Sequence, residues 1–401
     1  MAGILCAYQL SRRGVNCILV EADRLCGGIT KNTTAKVTVQ HGLVYQKLEK
    51  RFGQERTQMY LKANQAALDE YCRICQAIDC DWQEQDTYVY SLTDRKKLEK
   101  ELESLGRIGY RADFQEKPPL PIPTAGAVRF PNQAQFHPLK FAAGIVPGLK
   151  LYEGTRVREL APRTAITAHG TITAEKIIVA THFPMLNKHG SYFLKLYQHR
   201  SYVTALQNAP ALSGMYVDEA DKGMSFRSYQ NLLLVGGGGH RTGKPGGSWT
   251  ELERFATVHY PGAQIVFRWA AQDCMTLDSV PYIGRYSDST TGLYVATGFN
   301  KWGMTSSMVS AMLLADLVTG QHSPYEEVFS PSRSILRPQL AVNAFEAVSS
   351  LLTISKKRCP HMSCALKWNP QEHSWDCPCH GSRFTADGRL LDNPATGPCQ
   401  K

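Results

Sequence analysis

Apolar residues recur at helical spacing at the start of the chain and then give way to a short apolar run. The helical pattern covers residues 4–10 and stops at Gly14, and residues 16–21 follow as a buried strand that ends in Glu21. Helix, turn, strand and terminal acid make up the second half of a dinucleotide-binding βαβ unit, in which the acid binds ribose hydroxyls. Only Gly3 remains of the glycine-rich turn, so we expect the sheet to lack its central strand.

Downstream, long helical patterns alternate with many short strands, which is typical of a mixed α/β fold. An amphipathic pattern over 41–77 and a charged pattern over 93–104 predict helices, and the Pro-rich stretch 117–123 predicts a loop. Strand patterns lie near 152–160, 165–173, 176–181, 198–206, 224–229, 231–236 and 263–271.

A buried strand, a glycine turn and a helix start stand in that order within residues 292–305. Such a turn places free N–H groups and the positive end of a helix dipole against an electron-rich ring edge, as many flavoproteins do. In the polar loop 27–36, Thr33 and Thr34 would suit a pyrophosphate and a flavin edge, although a plain polar loop is the alternative. The four glycines 236–239 lack the helix start of a second nucleotide fold, so they predict a turn near the substrate pocket.

Composition and charge narrow the class of protein. The 401 residues suffice for two or three domains, and the apolar (43%) and charged (20%) fractions are typical of a globular chain. The net charge of +10 does not indicate nucleic-acid binding, because the basic residues are dispersed and the densest run, 95–101, alternates with acids. An acidic redox partner or an anionic substrate stays open. Without a long apolar run or an export signal, we expect a cytoplasmic protein with no transmembrane segment.

The strongest chemical signal lies near the C-terminal end. Cys359-x-His361 and Cys377-x-x-His380 are separated by fifteen residues, so two thiolates and two imidazoles stand in two short loops. This is the ligand set of a Rieske [2Fe–2S] centre, in which two His replace two Cys on one iron. Cys₂His₂ is also a zinc ligand set, but structural zinc sites usually open with two Cys and close with two His. The mixed boxes favour the cluster.

Residues 358–397 are similar to the cluster-binding part of Rieske domains, and residues 1–330 resemble the FAD-dependent oxidoreductases of the D-amino-acid-oxidase superfamily. The whole chain resembles the Rieske-tailed (YhfW-like) flavoproteins of that superfamily. The resemblance implies a Rossmann-like FAD-binding domain with an inserted α+β substrate domain, plus a small C-terminal β Rieske domain. The expected divisions are a flavin domain 1–330 with substrate parts at roughly 80–150 and 195–285, a linker 331–355 and a short Rieske domain 356–401.

The same resemblance implies FAD and a [2Fe–2S] cluster as cofactors, and roles for individual residues. The residues expected at the FAD are Gly3, Glu21, Thr33, Thr34, Val157, Gly298, Phe299, Trp302, Gly303, Met304 and Thr305, with Glu21 on the adenosine and Val157 on the adenine. The residues expected at the cluster are the ligands Cys359, His361, Cys377 and His380, a disulfide between Cys364 and Cys379, and Ser382 on a cluster sulfur. A Tyr often found nearby is Phe384 here, so we expect a somewhat lower reduction potential.

Such a chain would oxidise a small molecule, by resemblance an amine or amino acid, and exchange the electrons with a one-electron carrier through the cluster. No catalytic residue is assigned; Trp269, Gln272, Asp273 and Tyr282 face either the substrate or the core. The histidines form no Asp-x₂-His-x₄-His cluster, which excludes a Rieske oxygenase.

Two questions stay open at the start of the chain. We expect that the start was assigned at an internal methionine, because the downstream pattern is that of an intact flavoprotein. The alternative is a truncated protein that works as a cluster-based electron carrier or redox sensor, with a vestigial flavin site.

Overall fold

A computed structural model describes residues 1–185 and 189–399 of the chain. The helices are α1 (Ala2–Arg12), α2 (Tyr45–Cys75), α3 (Arg95–Arg107), α4 (Pro138–Ile145), α5 (Tyr192–Lys195), α6 (Trp249–His259), α7 (Gly303–Val318), α8 (Glu326–Phe329) and α9 (Pro338–Leu352), with a 3₁₀ turn at Ile29–Asn32. The strands before residue 186 are β1 (Leu19–Val20), β2 (Lys36–Val37), β3 (Gln83–Ser91), β4 (Asp113–Gln115), β5 (Gly126–Gln135), β6 (Leu151–Tyr152), β7 (Val157–Ala161), β8 (Thr164–Thr167), β9 (Thr171–Thr173) and β10 (Ile177–Val179). The strands after residue 188 are β11 (Leu196–Gln207), β12 (Met215–Asp218), β13 (Ser225–Tyr229), β14 (Leu232–Arg241), β15 (Gln264–Thr276), β16 (Tyr282–Arg285), β17 (Leu293–Thr297), β18 (Lys367–Asn369), β19 (Ser374–Asp376), β20 (Arg383–Thr385) and β21 (Leu390–Asp392). The predicted α/β class is confirmed.

The parallel part of the fold consists of two pieces. β1 pairs with β6 in parallel, β10 pairs with β17 in parallel, and β16 lies antiparallel on β17. Within residues 1–185 and 189–399, no hydrogen-bonded strand joins the two pieces. Gly3 at the start of α1 lies between them, since a Cβ there would stand 3.2 Å from Cδ1 of Leu19 and 3.8 Å from Cβ of Ala180. The first turn of α1 therefore approaches both pieces of the sheet.

Helices α1 and α7 pack against each other beside these strands. α1 buries seven of its eleven residues, among them Ile4, Leu5 and Leu10, and α7 is buried on almost every side. Small residues let α7 pack closely against its neighbours. The buried hydroxyl of Ser310 donates to the carbonyl of Ser306 at 2.7 Å, so it finds its hydrogen-bond partner within the helix. The two helices thus hold the chain segments that line the cavity described below.

The long helix predicted over 41–77 forms as α2, but it is kinked. Gly53 has φ +81°, a conformation that favours glycine, and it separates two helical stretches. At its beginning, the carboxylate of Glu101 on α3 accepts hydrogen bonds from the backbone N–H of Tyr45 (2.8 Å) and Gln46 (2.9 Å). These bonds satisfy two of the free donors that every helix leaves at its N-terminus.

A nine-stranded sheet forms the other layer of the flavin-binding part. Its order is β15-β11-β14-β13-β12-β3-β5-β2, with β4 on β5, and its pairs are antiparallel except for β12 with β3. α6 packs on β11 and β14. The sequence patterns did not predict strands β3 and β5 or helices α4, α6 and α9.

The region expected as a linker, 331–355, contains the 15-residue helix α9. After it, β18 to β21 form a small antiparallel sheet in the order of the chain. No helix in the described part of the chain is long and apolar enough to cross a membrane.

A buried ion network ties this small sheet to the large one. Glu372 accepts from Nε of Arg200 on β11 at 2.7 Å and from Nη2 of Arg383 on β20 at 2.9 Å. Arg383 also donates to Asp376 at 3.0 Å and to Asp392 at 3.1 Å. Burial by itself raises the pKa of Glu372, but the hydrogen bond from Arg200 and the two guanidinium charges outweigh it and hold that pKa below the ordinary value.

Glu372→Gln should lower the free energy of unfolding by about 3 kcal/mol, because the guanidiniums of Arg200 and Arg383 would stay buried without their shared carboxylate. A carboxyl whose pKa is lowered in the folded state stabilises above its unfolded pKa, and that contribution is lost as the pH falls. The difference between wild type and variant should therefore shrink below a pH of about 4.5. Urea denaturation at pH 7 and pH 4 measures both effects.

The matched control is Glu175→Gln, which breaks the exposed pair with Arg163, 3.9 Å long and with Glu175 85% exposed. That change should leave the midpoint in urea unchanged. Equal effects of the two substitutions would contradict a stabilising role for the buried network.

Candidate functional site

The two boxes near the C-terminal end form facing loops. In the first, Ser363 N–H donates to the carbonyl of Cys359 at 2.9 Å; in the second, Gly381 N–H donates to the carbonyl of Cys377 at 2.9 Å. Gly381 has φ +80°, and a Cβ there would stand 2.4 Å from the side chain of Gln198 on β11, so both the turn and the close approach require glycine.

The loops bring the four expected cluster ligands together. Cys359, Cys377 and His380 are buried, His361 is partly buried, and the two imidazole rings lie 4.9 Å apart at 85°. A hydrogen bond between the two thiols lowers the pKa of Cys359 to about 7 and raises the pKa of Cys377. Thiol groups this close are suited to bind one metal centre as thiolates.

His380 is oriented for metal binding. Its Nε2 lies 3.0 Å from the carbonyl oxygen of Phe193, to which it donates, whereas its Nδ1 is buried and has no hydrogen-bond partner in the described part of the chain. With the proton on Nε2, the lone pair on Nδ1 is free to bind a metal. Burial lowers the pKa of His380 to about 3 and that of His361 to about 4, so both imidazoles are neutral, which is the form that binds metal. The donor set therefore fits a Rieske cluster.

The other residues expected around the cluster lie beside these four. Cys364 and Cys379 are joined by a disulfide, with Cα atoms 6.8 Å apart. The Sγ atoms of Cys364, Cys377 and Cys379 lie within 4.8 Å of one another, but the disulfide occupies two of them, so they are not an alternative ligand set. Ser382 is fully buried, and its hydroxyl is among the groups that hydrogen-bond Cys359 and lower its pKa.

The cluster loops lie on the large sheet of the flavin-binding part. Nε2 of Gln198 donates to the carbonyls of His380 (3.0 Å) and Asn393 (2.9 Å), and Nε2 of Gln272 donates to the carbonyl of Gly381 (2.9 Å). Arg241 on β14 donates to the carbonyls of Pro378 and Cys379, each at 3.1 Å. Side chains of β11, β14 and β15 thus satisfy the backbone of the loop that holds two ligands.

A cavity of about 890 Å³ lies between the two pieces of the parallel sheet and reaches the large sheet. The N-termini of α1 and α7 both face it, and neither helix start has a side-chain cap. Uncapped helix starts present free N–H groups and a partial positive charge, which suit a pyrophosphate and a flavin edge. The residues expected at the FAD that line this cavity are Gly3, Glu21, Thr33, Thr34, Val157, Phe299, Trp302, Gly303 and Met304.

The two other residues expected at the FAD, Gly298 and Thr305, lie behind the cavity wall. Gly298 packs against Thr276, since a Cβ there would stand 2.2 Å from Cγ2 of Thr276. The hydroxyl of Thr305 exchanges two 3.0 Å hydrogen bonds with the backbone of Thr38. Both residues hold the turn before α7 in place.

The structure gives different surroundings to the four residues that the sequence left undecided between substrate and core. Strand alternation on β15 points Asp273 into the cavity and Gln272 toward the cluster loop. Nε1 of Trp269 donates to the carbonyl of Asn32 at 2.9 Å and so holds the polar loop. Tyr282 lies in the core, with the guanidinium of Arg333 3.8 Å from its ring centroid, and does not line the cavity.

Several cavity residues were not identified from the sequence. Lys36 is partly buried in the cavity wall, and burial, then the charge of Arg227, lowers its pKa to about 7. His41 stacks on Trp302 with ring centroids 4.9 Å apart. Lys301, whose own φ is +74°, also lines the cavity. No local sequence pattern marks these residues, because only tertiary packing brings them together; for Asp273, already among the candidates, the period-two pattern on β15 could have decided for the cavity.

One end of the cavity is formed by the small sheet region that follows the cluster loops. Residues 390–393, 395 and 396 of the small sheet region form part of its wall, as does His182 just after β10. The next residue, Phe183, is fully buried with its ring centroid 6.2 Å from that of His361 and 6.0 Å from that of His380. Nδ2 of Asn393 donates to the carbonyl of Phe183 at 3.0 Å. The pair His182–Phe183 therefore spans the distance between the cavity and the expected cluster ligands.

Known protein families match both parts of the chain. Residues 1–317 match the DAO family, described as FAD dependent oxidoreductase, and residues 335–401 match the Rieske [2Fe-2S] domain. The chain is 34% identical, over 466 aligned residues, to the Rieske 2Fe-2S iron-sulfur protein YhfW of Bacillus subtilis (strain 168), with 100% of this chain and 91% of YhfW covered.

More distant relatives match the flavin-binding part. The gamma-glutamylputrescine oxidoreductase of Escherichia coli (strain K12) is 22% identical over 364 residues, which cover 81% of this chain and 83% of that protein. The crystal structure of glycine oxidase from Geobacillus kaustophilus superposes with a TM-score of 0.68 at 20% identity, and covers 83% of this chain and 96% of its own. The latter similarity shows the fold.

His361→Ala and His380→Ala should each abolish the visible absorbance of the cluster and leave bound flavin in place, because each removes one of only four ligands while the FAD cavity is unchanged. Iron content per chain and the absorbance spectrum of anaerobically purified protein measure the loss. His373→Asn, an exposed histidine of the same small domain, is the control and should keep the cluster. Full iron content in either alanine variant would refute the ligand assignment. One zinc ion per chain in the wild type would show that the site binds zinc and not a cluster.

Proposed function

Because the chain belongs to the FAD-dependent oxidoreductase family and carries a Rieske [2Fe-2S] domain, we propose that it oxidises an amine or amino acid and passes the electrons through the cluster to a one-electron carrier. The family assignment agrees with the resemblance read from the residues, and it makes FAD and a [2Fe–2S] cluster the cofactors. One observation carries the proposal: a single cavity is lined both by residues at the helix starts expected to bind the flavin and by residues 390–393, 395 and 396 beside the cluster loops.

FAD accepts an electron pair from a substrate, and a Rieske cluster accepts single electrons, so the redox chemistry belongs to the cofactors. The protein determines where the two cofactors bind. The helix starts at Gly3 and Gly303 would hold the FAD phosphates and the flavin edge, and the facing boxes would hold the cluster. His182 and Phe183 lie between them, and the fully buried ring of Phe183 would exclude water from that stretch.

The charges of the cavity wall support a cationic substrate. Where the cavity meets the large sheet, its wall contains Asp218, Asp221 and Asp273, with Lys301 as a cation nearby. Burial raises the pKa of Asp273, the charge of Lys301 opposes that rise, and the hydroxyl of Ser201 lies 3.5 Å from its Oδ2. The ammonium group of a substrate would balance the negative charge of these carboxylates, and Lys301 could pair with the carboxylate of an amino acid.

Lys36 is the candidate proton acceptor. Its ammonium lines the cavity within 3.2 Å of the hydroxyl of Thr34, and its pKa of about 7 leaves a large neutral fraction at physiological pH. A neutral amine there could take the proton that an alkylammonium substrate must lose before oxidation. Two of the proteins similar to this chain, a gamma-glutamylputrescine oxidoreductase and a glycine oxidase, agree with this substrate class.

A cytoplasmic site of action is part of the proposal. Ten of the twelve cysteines are outside the disulfide, as is usual for a protein kept in a reducing compartment.

A second candidate function is a cluster-based electron carrier or redox sensor with a vestigial flavin site, favoured by the two unjoined pieces of the parallel sheet. Flavin retention separates the two: one FAD per chain supports the oxidoreductase, and a cluster without flavin supports the carrier.

Asp273→Asn should raise the KM for primary amines and amino acids by about tenfold or more, because it removes a buried charge that would pair with the ammonium group. Anaerobic reduction of the flavin by a panel of amines, amino acids and 2-hydroxy acids measures this. Photochemical reduction of the flavin, which needs no substrate, is the control and should be unchanged. A wild type that is reduced by hydroxy acids and by no amine would refute the substrate class.

Phe183→Leu should slow the electron transfer from reduced flavin to the cluster, because a smaller side chain leaves a gap in the packing between His182 and both histidine ligands. Flash photoreduction of the flavin, followed at separate flavin and cluster wavelengths, measures both steps. Phe193→Leu is the matched control, since the centroid of that ring lies 6.4 Å from the centroid of the His380 ring but the side chain does not follow His182. If both variants match the wild type, Phe183 does not position this transfer.

A further inference from the structure

Helix α9 is amphipathic in the reverse of the usual sense. A surface helix normally buries its apolar side and exposes its polar side. The residues that α9 buries are Asn343 and Ser350, while Phe345 is 70% exposed and Leu352 is 79% exposed. The exposed apolar residues of this outer face, with its two flanks, are Leu336, Val342, Phe345, Val348, Leu351, Leu352 and Ile354.

Polar contacts hold the inner side of α9 on the protein. Asn343 accepts from Nη1 of Arg241 at 2.9 Å and donates to the carbonyl of Leu194 at 3.1 Å. The hydroxyl of Ser350 donates to the carbonyl of Ala365 at 3.3 Å. The orientation of the helix is therefore fixed by specific bonds, and its apolar side faces outward as a consequence.

The segment that carries this face is basic. Between residues 336 and 358 the chain has four basic residues, Arg337, Lys356, Lys357 and Arg358, and a single acidic one, Glu346. That acid is paired, with Nζ of Lys244 2.6 Å from its carboxylate. Basic residues thus stand at both ends of the apolar face.

We propose that the outer face of α9 binds the surface of an anionic phospholipid bilayer. Large apolar side chains next to Lys and Arg are the combination with which in-plane helices enter the headgroup region and attract acidic lipids. The uncompensated positive charge at both ends of the face disfavours a second copy of the chain as its occupant, because pairing would bring like charges together.

This attachment goes beyond electron transfer between flavin and cluster and does not depend on the substrate. It would hold the cluster near the bilayer, since Cys359 follows Ile354 by five residues. Ile354 itself is 99% exposed.

The test is flotation of the purified chain, with both cofactors bound, on vesicles. The vesicles contain either phosphatidylcholine alone or phosphatidylcholine with phosphatidylglycerol as a third of the lipid. Wild type should float with the anionic vesicles and less with the neutral ones, and added salt should weaken the binding. Phe345→Gln and Leu352→Gln should each reduce the partition coefficient by about tenfold or more, because each removes a large apolar side chain from the lipid contact. Lys356→Gln should weaken binding to anionic vesicles only.

Phe267→Gln is the matched control, because Phe267 is 63% exposed on β15, away from α9. It should float like wild type, and unchanged flavin and cluster spectra verify that each variant is folded. Absence of wild-type binding, or equal binding by all variants, would overturn the proposal. So would a wild-type dimer that Phe345→Gln converts to a monomer, since the face would then bind a second copy.

Discussion

The hydrogen bond from His380 to the carbonyl of Phe193 joins the cluster loop to the flavin-binding part of the chain, and the rest of the site depends on it. It holds the imidazole so that the buried Nδ1 has no hydrogen-bond partner in the described part of the chain, and it helps to place the loop on β11, β14 and β15. Gln198, Gln272 and Arg241 then satisfy the carbonyls of the same loop. A cluster subdomain with only four short strands has little core of its own, so these bonds and the Glu372 network supply its support.

This arrangement gives the two histidine ligands different surroundings. His380 is buried against the flavin-binding part, whereas His361 is partly buried. Phe183 contacts both rings, and it directly follows His182, which lines the FAD cavity. The side toward the flavin cavity is filled by the fully buried ring of Phe183, while the loop of Cys359 and His361 continues from α9, whose outer face is exposed. These different surroundings support the proposal that the cluster exchanges electrons with the flavin on one side and with a carrier on another.

The sequence predicted those features that have a local pattern. Two boxes with fixed spacing predicted the four cluster ligands, and the resemblance to Rieske domains implied the disulfide that the structure contains. A helix–strand–acid pattern predicted the adenosine end around Glu21, which lines the cavity. It did not predict β3 and β5, because polar and apolar residues do not alternate regularly along these two paired strands. It also missed α9, because the exposed apolar face made the segment resemble a linker rather than a packed helix. The roles of Lys36, His182 and Phe183 come from contacts between segments more than a hundred residues apart, which no local pattern encodes.

The central claim is that electrons pass from flavin to cluster within one chain, across His182 and Phe183. The most direct test is the rate of cluster reduction after flash photoreduction of the flavin, measured at protein concentrations that differ tenfold. We expect a first-order rate that is independent of concentration, because donor and acceptor share one cavity. A rate that rises in proportion to concentration would show that the electrons pass between molecules, and it would contradict the account.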